Sequence, residues 1–325
     1  MLRFHFALLA SCLCFPAFAL DITRPEVRAF IDEMESAHGF DRREVESLLQ
    51  QAKTQQAILD AISRPAERVI PWHEYRARFL TEVRIHQGAD FTLAHGERLK
   101  AIGDERLAAT VVGILGVETS FGRITGRYRV IDALATLAFD YPPRAPFFRG
   151  ELVQFLLLSR EEDVDTLKAL GSYAGAMGAP QFISTSYRKY AIDADGDGKR
   201  DLWNSWDDVI GSVANYLRGF GWQDGEPVIV DATLKSHDLS AFDLTKIALN
   251  ETVQSLRDKG VEFETTLPPD APAMLVVGDG KKGPEYRVGF TNFYVITRYN
   301  RSTMYAMAVN DLGKAIQGFM RDAGK

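Results

Sequence analysis

The stretch Gly116-Val117-Glu118-Thr119-Ser120-Phe121-Gly122-Arg123 puts a carboxylate at the end of a long apolar run that begins near Asp104. On a helix turning about 100° per residue, Leu107, Val111, Ile114 and Glu118 fall at i, i+4, i+7 and i+11, which is one stripe. An acid on an inward-facing stripe loses hydration, so its neutral form is favoured and its pKa rises. A carboxylic acid still protonated near neutral pH can donate a proton to a leaving oxygen. The competing arrangement is a stripe that stops one turn early, with Glu118 in solvent or paired with Arg123 or Arg127. Spacing alone leaves both open.

Most glycosidases of this chemistry use a second carboxylate as nucleophile or base. Between Ser120 and Pro180 the acids are Asp132, Asp140, Glu151, Glu161, Glu162, Asp163 and Asp165. The last four crowd a charged segment, Glu151 sits in a helix-like run, and none is marked as a partner for Glu118. Histidine-based metal chemistry is unsupported as well. His5, His38, His73, His86, His95 and His237 show no H-x-x-x-H or similar spacing.

A different chemistry is suggested by Asp193-Ala194-Asp195-Gly196-Asp197-Gly198-Lys199, which fits D-x-D-x-D-G, the first half of an EF-hand loop. Carboxylates at positions 1, 3 and 5 converge on a hard cation, Gly198 permits the turn, and Lys199 can offer its carbonyl at position 7. Position 12 calls for a bidentate acid, yet Asn204 stands there. Crowded aspartates repel one another without a cation, which favours calcium in a flexible oxygen cage. The bland alternative is a solvated acidic turn.

The elements that must position these groups are mostly helical at first. Val27, Phe30, Ile31 and Met34 recur at helical spacing and close at Gly39; Asp41-x-x-Glu44 resembles a capping box ahead of Val45, Leu48, Leu49 and Ala52. A short helix around Ala57, Ile58 and Ile62 stops at Pro65, and helical patterns continue through Arg98, from Asp104 to about Thr119, and from Val209 to Phe220. Gly- and Pro-rich turns, including GSYAGAMGAPQF, separate the middle helices. After Gly225 the character changes: EPVIVDATL, APAMLVVGD and YRVGFTNFYVITRYN read as strands, with one helix in ETVQSLRDKG, before a final helix in MYAMAVNDLGKAIQGFMR. The expected class is α+β, mainly α.

Composition narrows the partners. The 325 residues are 46% hydrophobic and 25% charged with a net charge of −6, so neither an extended nucleic-acid footprint nor an internal membrane span is supported. The first residues, MLRFHFALLASCLCFPAFAL, carry Arg3, an apolar run and an Ala17-Phe18-Ala19 cleavage-like site, as expected of an export leader over residues 1–19. Its removal would take away one base and no acid, changing −6 to −7, together with Cys12 and Cys14. Thiol nucleophiles, redox motifs and cysteine zinc sites then fall away. The rival is a lipoprotein processed at Cys12, since Leu9-Ala10-Ser11-Cys12 resembles a lipobox with a short apolar lead.

GVETSFGR, then DALATLAFDYPPRAPFFRGEL, GSYAGAMGAPQFISTSYRKYAIDADGDGKRDLWNSWDDVIGSVANYLRGFGW and FYVITRYNRSTMYAMAV, resemble in order the B-type lytic murein transglycosylases over most of residues 70–320, most weakly in 226–290. The resemblance implies a lysozyme-like core with an additional helical domain and a small β subdomain. It divides the chain into an N-terminal helical region (20–70), a catalytic core (71–225), a β or αβ subdomain (226–290) and a C-terminal return (291–325). The implied substrate is the peptidoglycan glycan strand and Glu118 the one catalytic acid, so no second carboxylate is needed. Ser172, Gln181, Tyr216, Tyr299 and Asn300 match cleft positions. Many family members carry two arginines after the Tyr-Pro pair, whereas Pro143-Arg144 stands here, so only Arg144 carries over as a contact to a peptide or lactyl carboxylate. The family's calcium loop is longer than an EF-hand, and its closing acid aligns with Asp207, with Asp208 as the neighbouring fallback. A monomeric periplasmic enzyme that meets other cell-wall enzymes is the expectation. A hydrolysing muramidase and a non-catalytic calcium-dependent wall-binding protein remain the alternatives.

Overall fold

The computed structural model describes residues 17–63, 70–236 and 238–324. Most of the leader with Cys12 and Cys14, the expected stop at Pro65, and His237 lie outside them. Strand β1 (Ala17–Ala19) opens the described chain, followed by helices α1 (Pro25–His38) and α2 (Arg42–Gln51), strand β2 (Lys53–Gln55) and helix α3 (Gln56–Ser63). Val27, Phe30, Ile31 and Met34 are all buried on α1, and Asp41 caps α2 by accepting from the N–H groups of Arg43 and Glu44. β1 and β2 pair antiparallel.

The centre comprises α4 (Trp72–Ala77), α5 (Glu82–Ala94), α6 (Gly96–Ala101), α7 (Glu105–Thr119), the short pair β3 (Tyr128–Arg129) and β4 (Leu170–Gly171), α8 (Val130–Asp140), α9 (Ala145–Glu161), α10 (Ser184–Tyr190) and α11 (Trp206–Gly219). Asp104 caps α7 by accepting from Arg106 and Leu107. The N-terminal helices are tied to α8 by buried polar contacts. Asp132 accepts from the Lys53 N–H, Gln55 Nε2 and the Arg129 guanidinium, while Arg24 reaches Asp140 and the Phe139 carbonyl.

A five-stranded antiparallel sheet follows: β5 (Ile229–Leu234), β6 (Glu251–Thr252), β7 (Val261–Glu262), β8 (Pro272–Gly280) and β9 (Gly283–Gly289), in the spatial order β6-β8-β9-β5-β7. Helix α12 (Val253–Asp258) covers one face with its own small core of Val253, Leu256, Leu275, Val288 and Phe290. Alternate β8 residues Met274 and Val276 join the main core instead, as the two-residue period of a strand requires.

The chain closes with α13 (Thr291–Tyr299) and α14 (Thr303–Asp322). Here the sequence expectation fails: TNFYVITRY reads as a strand from its aromatic and β-branched residues, but only the segment through Gly289 is extended. Tertiary contacts override propensity. Phe293, Val295 and Ile296 are buried on α13, and the Asn292 amide donates to the carbonyls of Gln223 and Glu226 while accepting from the Gln223 N–H.

α7 and α14 pack backbone to backbone. A Cβ on Gly113 would lie 2.3 Å from the Val309 carbonyl oxygen, and one on Gly313 would lie 2.4 Å from that of Ala109. Only glycine admits this approach, and it sets the C-terminal end of α7 beside the N-terminal turn of α14. Among the described residues no helix is long and apolar enough to cross a membrane.

Candidate active site

Leu107, Val111 and Ile114 are fully buried, so the stripe does point inward, and Glu118 continues it to the last turn of α7. The Glu118 side chain keeps an opening to solvent, yet the protein packed around it strips most of its hydration. Desolvation pushes its pKa up to about 7, opposed by one hydrogen bond from the Tyr305 hydroxyl, which donates to Oε1 at 2.7 Å. Neither arginine of the competing arrangement reaches it. Arg123 donates to the Ser120 carbonyl and Arg127 lies over the Tyr128 ring.

The acids that could have served as a second carboxylate have other partners. Asp132 and Asp140 hold Arg129 and Arg24, and Glu151 accepts from the N–H and hydroxyl of Thr185. Glu161 and Glu162 pair with Arg188 and Arg200, Asp165 with Lys168, and exposed Asp163 lies 4.0 Å from the Lys199 ammonium.

Beside the end of α7 the GSYAGAMGAPQF segment is pinned from several sides. Thr119 Oγ1 donates to the Ala179 carbonyl at 2.8 Å, and the Tyr299 hydroxyl donates to that of Pro180 at 2.6 Å. Gln181, held at φ 54°, donates from Nε2 to the carbonyls of Thr125 and Gly178. Ser172 Oγ accepts from the N–H groups of Ala174 and Ala176, so its own proton and Gln181 Oε1 remain without a partner among the described residues. Tyr299 stacks on Tyr305 at 6.5 Å and 12°; burial, then the Glu118 charge, raises both phenols well above their usual range and keeps them neutral donors.

The chain matches the family described as transglycosylase SLT domain across residues 23–314. It is 40% identical over 303 residues to the membrane-bound lytic murein transglycosylase B of Escherichia coli, covering 90% of this chain and 82% of that protein. Among solved structures, catenated lytic transglycosylase SltB1 from Pseudomonas aeruginosa superposes with a TM-score of 0.87 at 48% identity, over 91% of this chain and 98% of that one. Lytic transglycosylase Slt35 of E. coli in complex with calcium gives 0.81 at 38% identity, over 93% and 96%.

The chain belongs to the transglycosylase SLT family.

It is therefore an enzyme of the lytic transglycosylase class, with a mainly α, lysozyme-like fold. Within this SLT transglycosylase, the expected cleft residues take different places. Tyr299 stacks on Tyr305, the partner of Glu118, while Ser172 and Gln181 are held within the GSYAGAMGAPQF segment. Tyr216 is a core residue by its contacts: it is buried, its hydroxyl donates to the Arg298 carbonyl, and its ring packs on Phe182, Tyr190, Phe220 and Tyr299. Asn300 is exposed at the end of α13. Arg144 stands apart on a short 3-10 turn, Pro142–Arg144, its guanidinium over the Phe147 and Phe148 rings.

The direct partner of Glu118, Tyr305, went unmarked in the sequence. It sits in the first turn of α14, where Ser302 caps by accepting from the Tyr305 N–H. Its presence in STMYAMAV was the only available signal, because 187 positions separate it from Glu118. Cavities do not mark the site either. A cavity of about 820 Å³ is lined by residues of α5, α6, α7 and α14 without Glu118.

In the acidic loop, one carboxylate oxygen from each of Asp193, Asp195 and Asp197 lies within 4.8 Å of the others, all exposed. The N–H groups of Gly196, Asp197 and Gly198 donate to Asp193, which holds its carboxylate below the usual range. Lys199 donates its N–H to Asp197. Asp207 does not join them, contrary to expectation: its carboxylate accepts from Arg98 Nε at 2.7 Å. Asp208 faces the loop instead, buried and accepting from the N–H groups of Ala194 and Asp201. Both follow the Ser205 cap of α11, where adjacent side chains diverge by about 100°, so only one can point at the loop.

Proposed function

We propose that Glu118 is the single catalytic acid and base of a transglycosylase that cleaves the β-1,4 bond between N-acetylmuramic acid and N-acetylglucosamine in peptidoglycan. The observation that carries this reading is a carboxyl with a pKa of about 7, hydrogen-bonded to a neutral phenol, while the acids between Ser120 and Pro180 have other partners. Protonated Glu118 gives its proton to the glycosidic oxygen as the bond to C1 breaks. The substrate's own 2-acetamido oxygen stabilises the oxocarbenium-like centre, which removes the need for a second carboxylate. Glu118, now ionised and stabilised by Tyr305, accepts the proton of the muramoyl C6 hydroxyl as that oxygen bonds to C1. A 1,6-anhydro end forms, the acid is regenerated and no water is consumed. An intramolecular nucleophile profits from high effective molarity. Ser172 and Gln181 supply the free hydrogen-bonding groups for the sugar, with Tyr299, Asn300 and Arg144 as further contacts and Tyr216 as the ring that backs them.

Calcium fits the donor set of the acidic loop: three convergent carboxylates are hard oxygen ligands, and the Slt35 relative is described with calcium. Asp193, Asp195, Asp197 and the Lys199 carbonyl would hold it, with Asp208 rather than Asp207 on the loop side. The ion would supply a structural cross-link between the loop and α11. We assign the enzyme to the periplasm, reached by cleavage of the 1–19 leader or by lipidation at Cys12, acting as a monomer on glycan strands. The division at residues 70, 225 and 290 belongs to the same reading.

Digestion of purified peptidoglycan followed by mass spectrometry of the released muropeptides tests it. Anhydromuramoyl ends are expected from the native enzyme and no release from Glu118→Gln. Reducing ends would identify a hydrolysing muramidase, and retained activity in the variant would remove Glu118 from the mechanism.

A further inference from the structure

Thr119, the residue after Glu118, closes α7 with a buried side chain that reaches across the fold. A threonine hydroxyl in a helix ordinarily bonds back to the carbonyl four residues earlier. That of Thr119 lies 3.4 Å from the Leu115 carbonyl but 2.8 Å from the carbonyl of Ala179, 60 positions away. Its proton therefore goes to Ala179, and its oxygen accepts from the Gly122 N–H at 3.0 Å.

The Gly122 bond holds an uncommon turn. Ser120 and Phe121 stand at φ 52° and 60°, and Gly122 continues at 77°, a left-handed run directly after the acid. Residues with a Cβ resist this conformation, so the surroundings must impose it. The Thr119 hydroxyl closes the turn from inside. The Phe121 N–H reaches the Leu115 carbonyl, and the buried Phe121 ring stacks on Phe91 at 5.3 Å.

The Ala179 bond belongs to a set. The carbonyls of Gly178, Ala179 and Pro180 follow one another along the chain, and each accepts from a side chain: Gln181 Nε2 at 3.0 Å, Thr119 Oγ1 at 2.8 Å and the Tyr299 hydroxyl at 2.6 Å. This backbone is neither helix nor strand, so side chains satisfy and fix it. Thr119 and Tyr299 both lead back to Glu118. Thr119 is its neighbour on α7, and Tyr299 stacks on Tyr305, whose hydroxyl donates to the carboxylate.

Resting on the transglycosylase reading above, we propose that Thr119 is a positioning residue whose hydroxyl fixes the end of α7, and with it Glu118, against the Gly178–Gln181 backbone that carries the sugar contact Gln181. Substrate held along that backbone then meets the acid at a set distance. Proton transfer needs the acid within hydrogen-bond reach of the glycosidic oxygen, and a displacement of about 1 Å costs on the order of a hundredfold in rate. Removing the Thr119 hydroxyl leaves the route through Tyr305 and Tyr299 in place, so a smaller loss is expected. The groups that bind sugar are untouched, so the loss falls on kcat.

Thr119→Val removes the hydroxyl and keeps the shape, whereas Thr119→Ser keeps the hydroxyl and removes a methyl group. Release of anhydromuropeptides from purified peptidoglycan is measured for each at a temperature where near-ultraviolet circular dichroism shows the native fold, with Thr119→Ala in place of Thr119→Val should the latter not fold. The hydroxyl-free variant is expected to lose roughly tenfold in kcat with KM within about twofold of native, and Thr119→Ser to stay within about twofold in both. Native kcat in the hydroxyl-free variant would overturn the proposal. So would an equal loss in Thr119→Ser, which assigns the effect to packing, or a loss that lies wholly in KM. Failure of both hydroxyl-free variants to fold would make the hydroxyl a requirement of folding rather than of positioning, and overturn it as well. A native enzyme that releases no anhydromuropeptides would instead overturn the transglycosylase reading beneath it.

Discussion

Replacing Tyr305 by Phe removes one oxygen from the site and tests how Glu118 is tuned. The Tyr305 hydroxyl donates to Oε1 at 2.7 Å and favours the ionised carboxyl against the desolvation that raises its pKa to about 7. A hydrogen bond to a charged acceptor is worth about 1.5–3 kcal/mol. The phenol also donates to the neutral acid, so roughly half of that value separates the two protonation states, or about one pK unit. Without it, the neutral acid gains, and the Glu118 pKa should move from about 7 to about 8. The same loss falls on the carboxylate that forms as the glycosidic bond breaks, so kcat at pH 6 should drop about tenfold. These effects have opposite consequences at high pH. Because the protonated form is the catalytic acid, the alkaline limb of kcat/KM should shift upward by about one unit. The ratio of variant to native activity should therefore rise between pH 7 and 8. Release of anhydromuropeptides across pH 5–9, quantified by liquid chromatography and mass spectrometry, supplies the profile. An alkaline limb that stays in place, or moves down, while kcat falls would refute this account of the hydroxyl.

Stability offers a second view of the same acid. The folded-state pKa of Glu118 lies above its ordinary value of 4.5, so its favourable contribution is present at low pH and is lost as pH rises through about 7. Glu118→Gln should match the native protein near pH 4 and exceed it above pH 7, by roughly 1–2 kcal/mol after allowance for the open side of the cleft, read by thermal denaturation at both pH values. Calcium should raise Tm and a chelator reverse the gain, with both responses lost in Asp193→Asn; equal melting with and without chelator would count against the loop as a cation site. Gly113→Ala puts a Cβ 2.3 Å from the Val309 carbonyl oxygen, so α7 and α14 must part. A loss of about 1–3 kcal/mol is expected in urea unfolding, with a fall in kcat as Tyr305 withdraws from Glu118.

Much of this protein was legible along the chain. The α1 stripe, the Asp41 cap, the helix from Asp104 to Thr119 and its apolar stripe were all readable, because each depends on neighbours within a few residues. The same holds for the convergence of Asp193, Asp195 and Asp197, whose spacing is itself the geometry of the turn. The helical period put Glu118 on the stripe without deciding whether it faced inward, and the ordered motifs downstream singled it out.

Tertiary structure decided the rest. Thr291–Tyr299 carries strand-forming residues yet is helical, since burial of Phe293 and Ile296 and the Asn292 contacts outweigh a propensity spread over about 1 kcal/mol. The choice between Asp207 and Asp208 turns on one step around α11, and Arg98 from another helix holds the first of them. Tyr216 was placed in the cleft by its motif and lies in the core by its contacts. Above all, the sequence by itself established an acid on an apolar stripe, but its pKa near 7 and its one hydrogen bond exist only because Gly113 and Gly313 let two distant helices touch. A periodic pattern records which way a side chain points; what it meets there is fixed by packing between segments that no local pattern relates.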